Sequence, residues 1–211
     1  MTATGPVFSA GYDIGNLPRG EFAAEAEALV AHPFHEAVAA LDAYPFPAVA
    51  ALNGHAIGGG LELALSCDLR VASEAARLGM PPARLGLVYS HTGLRKFVDA
   101  IGAPRTRELF FTARQVPAGT ALEWGLVNEV VGPDELADRA VAYAARIASL
   151  APLSLQGNKR ALRELVAAAG ELDPEVEREL VALREACFHS EDLFEGVRAI
   201  AEKRQPRWQG R

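Results

Sequence analysis

The most informative segment of the chain, residues 53–70, reads Asn53-Gly54-His55-Ala56-Ile57-Gly58-Gly59-Gly60-Leu61-Glu62-Leu63-Ala64-Leu65-Ser66-Cys67-Asp68-Leu69-Arg70. The apolar run 47–52 before it lies between prolines and an Asn-Gly pair, which predicts a short buried strand that leads into a turn. Residues 61–66 are strong helix formers. The sequence therefore predicts a strand, a glycine-rich loop and a helix in succession.

The glycine triplet 58–60 is placed where backbone can bind a ligand. Glycine allows close approach of the backbone, and the first NH groups of a helix have no partner within the helix. The triplet lacks the GxGxxG order and the GK[ST] ending, so it indicates neither a dinucleotide site nor a P-loop. Taken alone, it fits an anion or oxyanion site and a bare turn equally well.

The remaining pattern predicts an α/β protein. Apolar residues at helical spacing favour an amphipathic helix over 21–43, and 68–72 predicts a second strand. Residues 80–96 are typical of a loop or short-helix region, and the chain from about 104 onward predicts helices almost throughout. We expect an α/β core over 1–133 and a helical C-terminal region over 134–211.

Composition excludes several classes of protein. The 211 residues are 50% hydrophobic, which is typical of a globular chain, and the net charge of −6 argues against nucleic-acid binding. Cys67 and Cys187 are the only cysteines and form no metal-ligand pattern, which favours a reduced cytoplasmic protein without a metal. No apolar run approaches the roughly 20 residues of a membrane span, and the N-terminus does not have the pattern of a signal peptide. We expect a soluble protein that is not associated with a membrane.

Segment 53–70 resembles the signature of the enoyl-CoA hydratase/isomerase, or crotonase, superfamily. A second match is Phe8-Ser9-Ala10-Gly11-Tyr12-Asp13, and 85–87, 121–128 and 202–206 also fit in order and spacing. The resemblance implies a crotonase-like ββα superhelix with a helical C-terminal region that builds a homotrimer or hexamer. It also implies an acyl-CoA substrate, with no cofactor beyond the coenzyme A of that substrate. The family's first strands stand before the point where this chain begins, so we expect a core that lacks the usual N-terminal strands. A mis-called start, a genuine fragment and a natural truncation completed by a partner would each explain this, and the first is favoured.

The resemblance also assigns an oxyanion hole. In the family, two backbone NH groups hold the thioester oxygen while it gains negative charge, and matching positions places them at Tyr12 and Gly59. Preorganised donors of this kind need no reorganisation during the reaction. The resemblance implies contacts to the substrate from the neighbouring residues Ala10, Asp13 and Gly58, and from Pro82. Since the NH groups act, the side chain at Tyr12 is expected to be nearly free to vary.

The side chains of the site indicate unusual chemistry for the family. Glu62 matches one of the two catalytic glutamates of the hydratases, although a glutamate in the first helical turn also suits the helix dipole. Pro82 stands where the hydratases carry the second glutamate, which argues against hydration by two carboxylates. The segment 81–93 is closer to methylmalonyl-CoA decarboxylase, whose active site has a tyrosine at the position of Tyr89; the alternative for Tyr89 is a packed aromatic side chain. Lys203 resembles a family lysine that approaches CoA phosphate, and a solvated tail lysine fits it equally well.

Three classes of function follow from these observations. The first is an enzyme that stabilises the enolate of an acyl-CoA thioester, with hydration, isomerisation and methylmalonyl-CoA-type decarboxylation as branches. The second is a non-catalytic CoA-binding or assembly subunit, which Pro82 and the expected lack of N-terminal strands favour. The third, RNA binding, is disfavoured by the net charge and by a content of three lysines. Two histidines are further candidates. We expect His55 to be structural. His91 could be an acid or base, but a loop residue without a catalytic part is favoured.

Overall fold

The computed structural model describes residues 1–13, 32–149, 152–168, 175, 178, 182, 185, 189–204, 206 and 207. The strands are β1 (Val7–Ser9), β2 (Val49–Leu52), β3 (His55–Ile57), β4 (Leu69–Ser73), β5 (Arg77–Gly79), β6 (Gln115–Pro117) and β7 (Glu129–Val131). The helices are α1 (His32–Ala43), α2 (Gly59–Leu65), α3 (His91–Thr112), α4 (Ala118–Trp124), α5 (Leu136–Ala148), α6 (Pro152–Ala168) and α7 (Glu191–Ala201), with a 3-10 helix at Pro82–Leu85.

The described strands form two sheets. One has the order β1-β3-β5-β6, in which only the β5–β6 pair is antiparallel, and the other has the parallel order β2-β4-β7. Consecutive strands β2 and β3 therefore belong to different sheets, and the Asn53-Gly54 turn carries the chain between them. Parallel pairing requires crossover connections, and β3 together with α2 forms the crossover from β2 to its parallel partner β4. This arrangement is the α/β architecture expected from the sequence.

The core lies between the sheets and the helices α2, α3 and α4. It consists of fully buried aliphatic and aromatic side chains, among them Leu52, Leu61, Leu78, Phe97 and Leu126. Helix α5 covers the outer face of the second sheet through Leu136, which packs with Ala51 and Val71. Burial of a side chain such as Leu52 or Phe97 contributes about 1.5–3 kcal/mol each. The two faces of the second sheet are thus both covered.

The first residues of the chain lie along the edge of β2. The Met1 amino group donates to the Val49 carbonyl oxygen at 2.7 Å, and the Ala51 NH donates to the Met1 carbonyl oxygen at 2.8 Å. The Thr2 hydroxyl donates to the Ala51 carbonyl oxygen at 3.0 Å. These bonds pair backbone groups of β2 that would otherwise form an open edge.

Helix α7 packs against the 3-10 helix. A Cβ atom on Gly196 would lie 2.8 Å from the Leu85 Cα atom, so the two backbones are in direct contact. Leu193 is buried against Leu87 next to this contact. The Arg204 and Arg198 guanidinium groups bind the Glu195 carboxylate and hold its pKa well below the usual range. The segment that leads to Tyr89 is therefore fixed by the C-terminal helix.

The structure differs from the sequence expectations at the short elements. The sequence placed one strand before the glycine triplet, whereas β3 intervenes between the Asn-Gly turn and Gly58. The expectation of helices almost throughout after residue 104 was wrong at β6 and β7. The loop expected over 80–96 ends at Ser90, whose hydroxyl accepts from the Gly93 NH and begins α3. The predicted helix 21–43 is present as α1, and its first part lies outside the described residues.

The described helices are also too short or too polar to be membrane spans.

Candidate active site

The start of α2 is built on a glycine that no other residue replaces easily. Gly58 has φ 57° and ψ −127°, a left-handed conformation that side chains strongly disfavour. Its NH donates to the Gly79 carbonyl oxygen at 2.9 Å, which ties the loop to β5. This turn sends the chain from β3 directly into α2 and leaves the next NH groups at the helix start.

The structure brings the two glycine-bearing segments into contact. A Cβ atom on Gly60 would lie 2.5 Å from the Ser9 Cβ atom, so only glycine allows β1 to lie this close to α2. A Cβ atom on Gly11 would lie 3.3 Å from the Gly59 nitrogen. The residue after Gly11 is Tyr12. The two positions that the sequence assigns to the oxyanion hole are therefore neighbours in space.

The Gly59 NH has the character of a binding group. Gly59 is buried at the first position of α2, where the helix offers its NH no acceptor. Among the described residues no atom accepts a hydrogen bond from this NH. A buried NH without an acceptor is costly unless a ligand supplies one. The Gly59 NH thus fits a donor to a thioester oxygen.

The Tyr12 side chain lies over Gly59. A Cβ atom on Gly59 would lie 3.2 Å from the Tyr12 Cζ atom, and the ring makes an edge contact with Phe34 of α1 at a centroid distance of 5.1 Å. The side chain is 37% exposed. The sequence predicted that this side chain is nearly free to vary. The contacts with Gly59 and Phe34 restrict it.

Glu62 is the buried acid of the site. Its side chain is 2% exposed, on the first turn of α2. Burial raises the pKa of the carboxyl, while the Tyr89 hydroxyl and the Lys96 ammonium oppose that rise in pKa. Lys96 is itself paired with Asp42 at 2.9 Å. This carboxyl therefore holds its proton more tightly than an exposed glutamate does, which suits a group that gives a proton to a substrate.

Tyr89 joins this acid to the rest of the site. Its hydroxyl donates to the Glu62 Oε2 atom and also shares a hydrogen bond with the Tyr12 side chain. Burial, followed by the Glu62 charge, raises the pKa of Tyr89 well above its usual value, so the phenol stays neutral. The ring packs on Phe110, and a Cβ atom on Gly93 would lie 2.5 Å from the Tyr89 ring. Glycine at position 93 thus makes room for the Glu62–Tyr89 pair.

Pro82 begins the 3-10 helix and is buried. Its carbonyl oxygen accepts from the Leu87 NH at 3.0 Å, which closes the loop toward Tyr89. Proline suits the first turn of a helix because it has no NH to satisfy. The position at which the hydratases carry their second glutamate therefore has a structural side chain without a titratable group.

Other predicted site residues lie further out. Ala10 and Asp13 are exposed next to Tyr12. Lys203 follows α7 with φ 51°, and no hydrogen bond or ion pair among the described residues joins its side chain to Glu62. The His55 Nδ1 atom accepts from the Arg77 NH at 3.2 Å, so this histidine makes a contact between β3 and β5.

A separate cavity of about 940 Å³ lies between α1, the end of α2, α3 and α6. Its lining includes His91 and two ion pairs, Lys96 with Asp42 and Lys159 with Asp68. The Lys159 Nζ atom is 2.7 Å from the Asp68 carboxylate. These cations are neutralised by carboxylates of the same cavity.

The sequence analysis missed three contributors to the site. Ser9 and Gly93 matter through the space they leave, and Phe34 supports the Tyr12 ring. The spacing of Gly93, four residues after Tyr89 and at the start of a helix, was the available signal for one of them. Phe34 gave no signal, because an apolar residue on a helix face usually marks only the core.

Comparison with known proteins decides the family. The family model described as enoyl-CoA hydratase/isomerase matches residues 1–211. The chain belongs to this family. As a member of the enoyl-CoA hydratase/isomerase family it is an enzyme that acts on an acyl-CoA thioester, with the crotonase fold.

Relatives of different named activities are similar to this family member. A carnitinyl-CoA dehydratase of Salmonella enteritidis PT4 is 36% identical over 214 residues, which cover 97% of this chain and 77% of the relative. A structure of methylmalonyl-CoA decarboxylase in complex with 2-nitronate-propionyl-CoA has a TM-score of 0.88 at 32% identity, over 99% of this chain and 79% of that chain. A carnitinyl-CoA hydratase from Mycobacterium avium has a TM-score of 0.79 at 34% identity, over 100% of this chain and 80% of that chain.

Proposed function

We propose that the enzyme decarboxylates a 2-carboxyacyl-CoA of the methylmalonyl-CoA type and protonates the resulting enolate with a single acid, Glu62. One observation carries the proposal: the buried Glu62 carboxyl is bonded by the Tyr89 hydroxyl, while Pro82 stands in place of a second carboxylate. The methylmalonyl-CoA decarboxylases among the structural relatives, with TM-scores of 0.86–0.88, support it.

The proposed reaction begins at the oxyanion hole. The NH groups of Tyr12 and Gly59 hold the thioester oxygen, and the neighbours Ala10, Asp13 and Gly58 line the same place. As the bond between Cα and the carboxylate breaks, CO₂ leaves. The electron pair of that bond stays with the acyl-CoA and forms the enolate, whose negative charge is on the thioester oxygen. Donors in a site with little water stabilise this charge strongly, and one such donor is typically worth about 10²- to 10³-fold in rate.

Protonation completes the proposed reaction. Glu62 gives its proton to the enolate Cα, the thioester carbonyl re-forms, and Glu62 is left as a carboxylate. The raised pKa of Glu62 suits this step in two ways. A neutral acid holds the proton that the enolate needs, and it does not repel the carboxylate of the incoming substrate. The mechanism uses no cofactor beyond the coenzyme A of the substrate.

Hydration of an enoyl-CoA fits the site less well. Hydration needs two carboxylates that hold a water molecule and transfer its proton. Pro82 occupies the position of the second carboxylate. A second candidate is the elimination of water from a hydroxyacyl-CoA, favoured by the 36% identity to carnitinyl-CoA dehydratases. There Glu62 as a carboxylate would take the Cα proton and pass it to the departing hydroxyl group as the double bond forms, so that one residue serves as base and then as acid.

Three substrates separate these activities. Purified enzyme is incubated with methylmalonyl-CoA, crotonyl-CoA and carnitinyl-CoA, and the products are followed by liquid chromatography. We expect propionyl-CoA and CO₂ from the first and feeble conversion of the others. A crotonyl-CoA rate comparable to the decarboxylation rate would contradict the proposal. Binding of coenzyme A without turnover of any substrate would instead indicate the non-catalytic subunit.

A substitution at Pro82 tests the same logic. Pro82→Glu adds the missing carboxylate, and we expect crotonyl-CoA hydration to rise by about 10²-fold or more, since a positioned acid or base is typically worth 10²- to 10⁴-fold. Pro82→Gln is the matched control, because glutamine is similar in size to glutamate and has no ionisable group. An equal rise in both variants would show that the loss of proline, rather than the new carboxylate, is responsible.

The assembly and location are also proposed from the family resemblance. We infer a homotrimer or hexamer of subunits in which residues 134–211 form the trimerisation part and Lys203 approaches the CoA phosphates. The cysteine content supports a cytoplasmic location, because a protein with reduced cysteines is expected in that compartment.

A further inference from the structure

The fate of the Glu62 proton raises a question that the proposed mechanism does not answer. Each decarboxylation leaves Glu62 without its proton, and the next turnover requires that proton to be replaced from solvent. The Glu62 side chain is 2% exposed, so bulk water does not reach it freely. Among the described residues, the hydrogen-bond partner of its carboxylate is the Tyr89 hydroxyl.

The side chains around Glu62 form a hydrogen-bonded chain from the interior to the surface. Glu62 is buried, Tyr89 is partly buried, and Tyr12 is 37% exposed. The Tyr89 hydroxyl bonds both Glu62 and the Tyr12 side chain. A phenol hydroxyl can donate one hydrogen bond and accept another, which is the requirement for a group that passes a proton along a chain.

We propose that the Tyr12 hydroxyl is the outer end of a proton path that runs through Tyr89 and reloads Glu62 after each turnover. This inference rests on the proposed function. The Tyr89 proton moves to the Glu62 carboxylate, the Tyr12 proton moves to the Tyr89 oxygen, and a hydronium ion of the solvent returns a proton to Tyr12. Both phenols end as they began, and one proton passes from solvent to Glu62 for each CO₂ released.

Tyr12 would have two parts: its NH serves the oxyanion hole and its hydroxyl serves the proton path. The packing of its ring fits the second part. The ring rests on Gly59 and against Phe34, which holds the hydroxyl next to Tyr89. A side chain larger than glycine at position 59 would meet the ring at 3.2 Å. The Tyr12 side chain thus acts as a positioning group. This part is separate from that of the Tyr12 backbone NH.

The variant Tyr12→Phe removes the hydroxyl and keeps the ring, so the packing on Gly59 and Phe34 is retained. Wild-type enzyme and this variant are mixed rapidly with methylmalonyl-CoA near pH 6, and CO₂ release is recorded over the first and later turnovers. Both enzymes are equilibrated at this pH before mixing, so the first turnover does not depend on reloading, and we expect it to be within about twofold of wild type. Later turnovers should slow at least about tenfold, because the proton must find another route. The KM should fall together with kcat, since a slow step after CO₂ release lowers both and leaves kcat/KM unchanged.

Two further variants complete the experiment. Tyr89→Phe should show the same burst, and Tyr12→Phe/Tyr89→Phe should be no slower than Tyr89→Phe alone, because residues of one path are not additive. Tyr44→Phe, at a half-exposed tyrosine that contacts Phe46, is the matched control and should turn over like wild type.

The possible results are distinct. Steady-state turnover of Tyr12→Phe equal to wild type would overturn the proton path. A first turnover that is slowed as much as later ones would also overturn it, since that result assigns Tyr12 a structural part in the oxyanion hole. Wild-type enzyme that releases no CO₂ would refute the proposed decarboxylation, and the proton path with it.

Discussion

At residue 59 the backbone NH can be tested separately from the space around it. Gly59→Pro removes the NH, and proline suits the first position of α2. We expect turnover to fall by about 10²- to 10³-fold, with the affinity for coenzyme A within about tenfold, because an oxyanion donor acts mainly in the transition state. Both are measured by steady-state kinetics and by calorimetry with coenzyme A.

The control for Gly59→Pro is Gly59→Ala, which keeps the NH. Its Cβ atom would lie 3.2 Å from the Tyr12 ring, a contact that a small shift of the ring can relieve. We expect this variant to keep most of its activity. Equal losses in the two variants would assign the effect to crowding of Tyr12 rather than to the missing donor.

At residue 62 the raised pKa has a consequence for stability. Because the folded protein holds this proton more tightly than the unfolded chain, the contribution of Glu62 to the free energy of unfolding falls as pH rises above the ordinary carboxyl pKa of about 4.3. Glu62→Gln cannot ionise and still accepts the Tyr89 hydrogen bond. We expect Glu62→Gln to gain stability relative to wild type as pH rises above about 4.3, while its activity falls by about 10²- to 10⁴-fold.

Urea unfolding of the two proteins at several pH values measures this difference. Tyr89 does not confuse the measurement, since its pKa is raised well above the range tested. A stability difference that is the same at every pH would contradict a raised Glu62 pKa.

At the scale of elements, the contact of α7 with the 3-10 helix is expected to control the position of Tyr89. Gly196→Ala would place a Cβ atom 2.8–3.1 Å from backbone atoms of Leu85, which cannot move aside cheaply. We expect a loss of about 1–3 kcal/mol in the free energy of unfolding, as for other overpacked sites, together with a lower kcat. Thermal unfolding and steady-state kinetics measure the two effects.

Gly119→Ala is the matched control for this contact. Gly119 lies in α4, and a Cβ atom there would meet no other atom within 4 Å. Alanine is the better helix former, so this variant should be as stable as wild type or more stable, with unchanged kcat. A Gly196→Ala enzyme with wild-type kcat would show that α7 does not position Tyr89.

The elements also show what sequence patterns can predict. Strands β2 and β4 and helix α2 were predicted, because their apolar runs are bounded by proline, Asn-Gly or a glycine triplet. Strands β3, β6 and β7 have three residues each, which is too short for an alternating pattern to be recognised. Their pairing depends on distant strands, and local sequence does not contain that information.

At the scale of the whole molecule, the family and its fold were predicted correctly from two motifs and their spacing. Gly59 and Glu62 were proposed from the first of these motifs and Tyr89 from segment 81–93, and the structure brings all three together with Tyr12. The link between the two tyrosines could not be predicted, because 77 residues separate them in the chain and only the folded structure brings their side chains together. The direction of the Glu62 pKa also required knowledge of its burial.

The assembly is a prediction for the intact protein. We expect a homotrimer or a dimer of trimers, since closed symmetric assemblies are the common solution and the family resemblance implies a trimer. Light scattering coupled to size-exclusion chromatography measures the molar mass directly, against 22.4 kDa for one chain. A monomer at high protein concentration would contradict the prediction.

The contact between α7 and the 3-10 helix also has a consequence for biosynthesis. Residues 82–85 leave the ribosome roughly 100 residues before α7, which at 5–20 residues per second is about 5–20 s. During that time Leu87 lacks the cover that Leu193 later provides. The nascent chain therefore carries an apolar surface next to an unfinished site, and chaperones that bind such surfaces have a defined window in which to act. The enzyme acquires its activity late, when the helix that holds Tyr89 in place has been translated.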